Sequence, residues 1–302
     1  MANAYDIVVI GSGANGLTAA AYMAKAGQKV LVLERNAWFG GGVATREVVA
    51  PGFRHDLHSA THIIIQANPL IRNDELGLIS KFGLKYIYPE GVFSTIFDDQ
   101  TSIVSYADVD RTCQSIAKVS QRDADAYRRF AAKSQETLPL IAAGMFVPPV
   151  PQGSFWALLD QNPQGRALMR IMQSSMLDIV NEWFEHDKTK VHLLKFAAET
   201  LVGPDEKGTG MILYSFPAFV HTYRPGLPEG GSGVLVDALI RCLESHGAEL
   251  RKDTIVENVL VEGGRAVGVR VRTGTTESIE ARHLLRHAIS NSSTVQLFLD
   301  GP

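Results

Sequence analysis

Three glycines close to the N-terminus have the spacing of a phosphate-binding loop. Gly11, Gly13 and Gly16 follow an apolar run in the order G-x-G-x-x-G. The first glycine allows a tight turn, the second lets the backbone approach a pyrophosphate, and the third lets a helix pack closely on a strand. The free N–H groups at the start of that helix, where Ala14 and Asn15 lie, would hold the phosphates without a basic side chain.

An acidic residue follows at the distance expected for ribose recognition. Glu34 lies 23 positions after Gly11, and a carboxylate there accepts hydrogen bonds from a ribose diol while it repels a 2′-phosphate. The sequence also supplies the elements that position these residues, because 7–10 predict a strand, 17–26 a helix and 29–33 a second strand. This order predicts a dinucleotide-binding βαβ unit. A chance glycine-rich turn in another α/β protein is the less favoured alternative.

A second glycine run, residues 40–42, begins six positions beyond Glu34. A nicotinamide site does not require such a run. Together with the first loop it makes residues 5–62 resemble the N-terminal part of the flavin-containing amine oxidase superfamily, in particular the phytoene dehydrogenase-like oxidoreductases. The resemblance implies FAD as the cofactor. The cofactor contacts that it implies are Gly11, Gly13, Ala14, Asn15, Gly16, Glu34, Arg35, Gly41, Gly42 and Val256.

The remaining sequence suits the fold that this resemblance implies. Residues 84–106 predict short β-strands and 121–141 an amphipathic helix, as in a substrate domain inserted into the cofactor domain. We therefore expect an α/β protein with a Rossmann-type FAD-binding domain, which combines a parallel sheet, helices and a β-hairpin. That domain comprises residues 1–65 and 226–302, and an inserted α+β substrate domain comprises residues 66–225.

Histidines cluster in the polar stretch that follows the glycine run. His55, Asp56, His58 and His62 suggest a metal site, and the last two histidines have helical spacing. The glutamate of a zinc-protease motif is absent, so a polar loop near the cofactor is favoured over metal binding. The resemblance makes His58 and His62 the only candidate catalytic residues, lining the flavin cavity. Surface hydrogen bonding is the alternative, and no general base is assigned.

Residues 137–159 contain no charged side chain. Their prolines disfavour a membrane-spanning helix, so we expect an irregular apolar segment. It could pack in the core, cover an apolar pocket or contact a membrane surface peripherally. The aromatic run 211–223 is expected to form one wall of a hydrophobic pocket. The aromatic and histidine side chains of that wall would be Tyr214, Phe216, Phe219, His221 and Tyr223.

Composition narrows the class of protein. The 302 residues carry a net charge of −3, which argues against a nucleic-acid partner. Cys113 and Cys242 form no C-x-x-C pair, so flavoenzymes with a redox-active disulfide are excluded. The N-terminus runs directly into the first strand, and a cytoplasmic location is therefore expected, with membrane association through residues 137–159 as an addition.

The function expected from these features is FAD-dependent hydride abstraction from a small apolar substrate. Two alternatives stay open: a flavin amine oxidase, and a degenerate or non-catalytic dinucleotide-binding protein that is a fragment of a split enzyme. Members of the resembled family continue beyond the length of this chain. A complementing C-terminal segment or a homo-oligomer is therefore an expected partner.

Overall fold

The computed structural model describes residues 5–145, 147–148, 150–273 and 276–286, which form two compact units. The first unit contains the described residues up to His62, Pro69–Ile87 and those from Leu227 onward. The second unit contains Ile63–Asn68 and Tyr88–Gly226. The expected domain boundaries at residues 65 and 226 stay a prediction. Pro69–Ile87, which that prediction assigned to the substrate domain, group with the first unit.

The secondary structure is mixed. In chain order the strands are β1 (Tyr5–Ile10), β2 (Val30–Leu33), β3 (Thr45–Glu47), β4 (Arg54–Asp56), β5 (Tyr86–Ile87), β6 (Gly91–Ile96), β7 (Ser102–Tyr106), β8 (Leu227–Pro228), β9 (Glu249–Arg251), β10 (Ile255–Glu262), β11 (Arg265–Arg272) and β12 (Thr276–Arg286). The helices are α1 (Ala14–Lys25), α2 (Pro69–Arg72), α3 (Val109–Ala117), α4 (Gln121–Met145), α5 (Gln152–Leu159), α6 (Pro163–Gln173), α7 (Met176–Trp183), α8 (Asp187–Ala198), α9 (Gly210–Tyr223) and α10 (Gly233–Ser245), and a 3-10 helix covers Ile64–Ala67.

A six-stranded sheet organises the first unit, in the order β10-β11-β12-β1-β2-β9. Strand β1 is paired in parallel with β2 and β12, and β2 with β9, whereas β10, β11 and β12 are antiparallel neighbours. All four residues of β2 are buried, as expected for a parallel strand covered on both faces. Val8, Leu31 and Val269 belong to its core. The predicted βαβ unit and hairpin are thus present, and residues 287–302 of the predicted cofactor domain lie outside the described residues.

Helices surround the core of the second unit, which contains Tyr127 of α4, Ile179 of α7 and Leu213 of α9. Helix α6 ends at Gln173, and α7 begins at Met176. The break occurs because Ser175 starts α7 with a capping box, in which its side chain and that of Asp178 each accept a backbone N–H of the other residue.

The expectation of an irregular apolar segment at 137–159 is wrong for most of its length. Helix α4 continues through Pro139 to Met145, and α5 covers Gln152–Leu159. A proline inside a helix removes one hydrogen bond and crowds the carbonyl four residues before it, and the packing of the neighbouring Leu138 in a small core with Phe219 offsets this cost. Phe146 and Pro149 lie outside the described residues. No helix in the described ranges has the length and apolarity needed to cross a membrane.

Candidate dinucleotide site

The first glycine loop has the geometry that a phosphate site requires. Gly11 has φ +92°, a conformation that L side chains rarely adopt, so this turn needs glycine. Gly13 is the N-cap residue of α1 and offers no capping side chain, and the first turn contains no acidic residue. The N–H groups of Ala14, Asn15 and Gly16 therefore lie at an uncapped, positive helix end that can bind an anion.

The second glycine run packs directly on the first. Gly40 N donates to Ser12 O at 3.0 Å, and Gly13 and Gly40 form a parallel bridge. A Cβ atom on Gly41 would lie 3.2 Å from Gly13 Cα. The backbone at Gly41 also has φ +58°. A side chain at this position would press on the phosphate loop, so the two glycine segments form one backbone layer.

Glu34 lies in this layer with its carboxylate buried, at 5% exposure. Its Oε2 accepts hydrogen bonds from Ser12 N at 3.0 Å and Ser12 Oγ at 2.6 Å. Its Oε1 accepts from Asn36 N and Asn36 Nδ2, both at 2.9 Å. A carboxylate has about four acceptor positions, and all of them are used. Ser12 and Asn36 were not among the site residues expected from the sequence, although the Ser12 hydroxyl inside the glycine motif was a signal.

The segment between β9 and β10 runs beside Glu34. Glu34 N donates to Arg251 O, and Thr254 N donates to Glu34 O, each at 2.9 Å. The backbone N–H of Thr254 is therefore occupied by a bond within the protein and is not free to donate to a ligand. Val256, at the start of β10, is half-buried against the first unit's core, and Arg35 is exposed next to Glu34.

The two candidate histidines have different surroundings. His58 is exposed, and its Cδ2 atom would lie 3.6 Å from a Cβ on Gly42, which places it beside the glycine run. His62 is buried, and its Nδ1 lies 2.8 Å from the hydroxyl of Tyr86. Burial lowers the pKa of His62, so its ring is neutral at pH 7. Among the described residues no three side chains of the metal-ligating types converge.

The aromatic run 211–223, which was predicted to form one wall of a hydrophobic pocket, lies on α9. Tyr214, Phe216 and Phe219 on α9 are buried, and Tyr214 belongs to the core of the second unit. His221 is held on both sides: its Nδ1 donates to Ala107 O at 3.0 Å, and its Nε2 accepts from the Tyr127 hydroxyl at 2.9 Å. Tyr214, Phe219 and Tyr223 pack in or against the hydrophobic cores of the second unit. That the run 211–223 forms one wall of a hydrophobic pocket stays a prediction.

A parallel βαβ unit, an uncapped helix start behind a glycine loop and a buried Glu at the end of β2 define a Rossmann-type dinucleotide-binding domain. In agreement, residues 9–73 match the family model described as an NAD(P)-binding Rossmann-like domain. The α/β fold class predicted from the sequence is confirmed.

Several known proteins that are similar to this chain are oxidoreductases. One of the subunits of limonene dehydrogenase from Castellaniella defragrans is 30% identical over 273 residues, which are 89% of this chain and 48% of that protein. The lycopene-forming phytoene desaturase of Pseudescherichia vulneris is 25% identical, covering 88% of this chain and 52% of the desaturase. The solved structure of wild-type putrescine oxidase bound to putrescine aligns with a TM-score of 0.58 and 16% identity, over 93% of this chain and 57% of the oxidase.

These similarities confirm the resemblance predicted from the glycine segments. The chain is a relative of the phytoene and carotenoid desaturases, and its fold is that of the amine oxidases. It spans about half the length of the curated relatives that it matches.

Proposed function

We propose that this chain is the FAD-binding part of an oxidoreductase of the phytoene desaturase-like type, which removes hydride from an apolar substrate. The observation that carries this proposal is the contact between the two glycine segments, with Gly40 bridged to Gly13 and Gly41 against Gly13 Cα. A nicotinamide site does not require the second segment, and the desaturase relatives support the flavin. The match to putrescine oxidase supports the fold alone, so amine oxidation stays the less favoured reaction.

The residues of the site fit the adenosine diphosphate part of FAD. The N–H groups of Ala14, Asn15 and Gly16 would bind the pyrophosphate, because the helix start is positive and has no side-chain cap. Ribose hydroxyls would donate to Glu34 in place of the side-chain donors Ser12 Oγ and Asn36 Nδ2, which can rotate away, whereas the two backbone donors would keep the carboxylate in position.

When bound, FAD would supply the hydride acceptor, and the protein would supply position and shielding from water. His58 is the better placed of the two histidines to face the cofactor, since it is exposed beside Gly42. His62 would act by positioning Tyr86, because its Nδ1 is already bonded to that hydroxyl. No general base is required for these roles, and none is assigned.

The second unit would bind the apolar substrate and contact the lipid surface from which that substrate is taken up. Among the described residues of the 137–159 segment, five large apolar side chains are exposed: Leu140, Met145, Val147, Val150 and Leu158. An uncharged surface of this kind is suited to shallow contact with a lipid surface, from which an apolar substrate could be taken up. We propose further that the active enzyme contains a second component, a complementing segment or another copy. The similarity to one subunit of limonene dehydrogenase supports the proposal of a second component.

Titration with FAD tests the proposal. Added FAD should bind with a change in its absorbance bands. NAD and NADP should bind at least about tenfold more weakly than FAD. The substitution Glu34→Ala should weaken FAD binding about tenfold or more. Arg265→Ala, an exposed hairpin position, is the control. Binding of NAD alone, lost in Glu34→Ala, would show that the flavin assignment is wrong.

A further inference from the structure

A cavity of about 350 Å³ lies in the first unit between residues 37–46 and helix α10. None of its lining residues belongs to the glycine loop 11–16, and Glu34 does not line it. Its volume is at the lower end of the range for small-molecule pockets. The cavity is lined by two aromatic side chains, three positively charged ones and one carboxylate. They are Trp38 and Phe39, then Arg46, Arg54 and Lys252, and finally Asp237. We call it the Trp38 pocket.

The aromatic rings hold two of the cations in place. The Cζ atom of Arg46 lies 3.8 Å from the centroid of the Trp38 ring, and Lys252 Nζ lies 5.7 Å from that of Phe39. A guanidinium that is stacked on an indole keeps its N–H donors in its own plane, free to bind an anion with two parallel bonds. Arg46 is therefore oriented without being neutralised.

The cations of this pocket differ from other arginines of the first unit. Arg251 forms ion pairs with Glu249 and Glu277, and Arg272 with Glu257. Within the described part of the chain, Arg46, Arg54 and Lys252 take part in no ion pair, and Asp237 pairs with none of them. Unpaired positive charge that converges on a concave site raises the local concentration of anions.

We propose that the Trp38 pocket binds the oxyanion group, phosphate or carboxylate, of a small molecule other than the dinucleotide. Arg46 would bind the oxyanion through its in-plane N–H groups, Lys252 would add a second charge, and Trp38 would support the guanidinium from behind. This proposal does not depend on the identity of the dinucleotide.

Fluorescence of Trp38 tests the proposal in the full chain carrying Trp156→Phe and Trp183→Phe, so that only one indole remains. The protein is saturated with ADP to occupy the glycine loop and titrated with inorganic phosphate in one arm and acetate in the other. Sodium chloride at equal ionic strength is the salt control. A saturable change with phosphate, acetate or both is expected, and the arm that responds identifies the oxyanion.

Variants decide whether the pocket causes the response. Arg46→Gln and Lys252→Gln should each weaken the titration about tenfold or more, because a charge-assisted hydrogen bond is lost. Lys81→Gln, which removes an exposed charge elsewhere in the unit, should leave it unchanged. Arg46→Lys keeps the charge but not the planar donors, and should weaken binding even if Arg46→Gln does not fold. The same response to sodium chloride, no saturable response to phosphate or acetate in the ADP-saturated protein, or an unchanged titration in the Arg46 and Lys252 variants would overturn the proposal.

Discussion

Ser12 and Glu34 are joined by two hydrogen bonds, from the Ser12 backbone N–H at 3.0 Å and from its hydroxyl at 2.6 Å. The first bond fixes the Glu34 carboxylate relative to the glycine loop, and the second fills an acceptor position that a ribose hydroxyl would need. If Glu34 binds ribose as proposed, a single residue of the loop both positions its carboxylate and competes with the ribose.

Ser12→Ala separates these two roles. The backbone bond stays and the hydroxyl bond is lost from a buried carboxylate, so the free energy of unfolding should fall by about 1–3 kcal/mol. Affinity for ADP should stay within about threefold of the unmodified protein, because the competing donor is also removed. Denaturant unfolding and ADP titration measure both quantities. A loss of ADP affinity as large as that of Glu34→Ala would contradict this account.

Gly41→Ala should weaken dinucleotide binding, because the new Cβ meets Gly13 Cα at 3.2 Å and the residue has φ +58°. A matched variant separates the strain from the packing. Gly52→Ala has a similar strain at φ +82° with nothing within 4 Å of the new Cβ. It should bind ADP normally, although it should lose about 1 kcal/mol of stability. Equal binding by the two variants would show that the packing of the two glycine segments does not matter.

Acid should destabilise the second unit through His192. This ring is fully buried, its Nδ1 and Nε2 lie 2.9 Å from the hydroxyls of Thr95 and Ser105, and burial lowers its pKa to about 3. The unfolded state binds a proton below about pH 6.5 and the folded state does not, so stability is complete above that pH and falls as the pH drops towards 3.

The expected loss between pH 7 and pH 4.5 is roughly 2–3 kcal/mol. Denaturant unfolding at both pH values measures it. His192→Gln should be less stable at pH 7 and should show a smaller change with pH. His55→Gln, at an exposed position, is the control and should keep the full pH dependence. A pH dependence of His192→Gln equal to that of the control would refute the assignment to His192.

Liposome flotation tests the exposed apolar surface of residues 137–159. Val147→Asp combined with Leu158→Asp should abolish flotation, because both side chains are more than half exposed and a charge there opposes insertion into lipid. Val49→Asp, at an exposed apolar position of the first unit, is the matched control and should float like the unmodified protein. Equal and negligible flotation of all proteins would leave the segment without a membrane role.

ADP should compete for the site nearly as well as FAD. The proposed site residues, in the glycine loop and at Glu34, would bind phosphate and ribose, so binding energy should come mainly from the adenosine diphosphate end. Competition titrations should give affinities that agree within about tenfold. An affinity for FAD that exceeds the affinity for ADP by much more than tenfold would require contacts to the flavin ring from other residues.

Local sequence determined the βαβ unit, because each part of it depends on neighbouring residues. The apolar run makes a buried strand, Gly11 supplies the positive φ of the turn, and uncapped N–H groups at Ala14 follow from the glycine before it. The hairpin turn at Gly263 was predictable for the same reason. These features involve short-range geometry that a few residue types can adopt.

Only the tertiary structure decided what the long-range contacts do. Ser12 meets Glu34 and Gly41 meets Gly13 because the chain returns to the same place after more than twenty residues. In the same way, packing of Leu138 in a small core carries α4 through Pro139, which the local sequence disfavours. The stacking of Arg46 on Trp38 likewise depends on the path of the chain between them. Hydrophobic pattern and propensity carry no information about such pairings, because the energy that selects them arises only when distant segments are packed together.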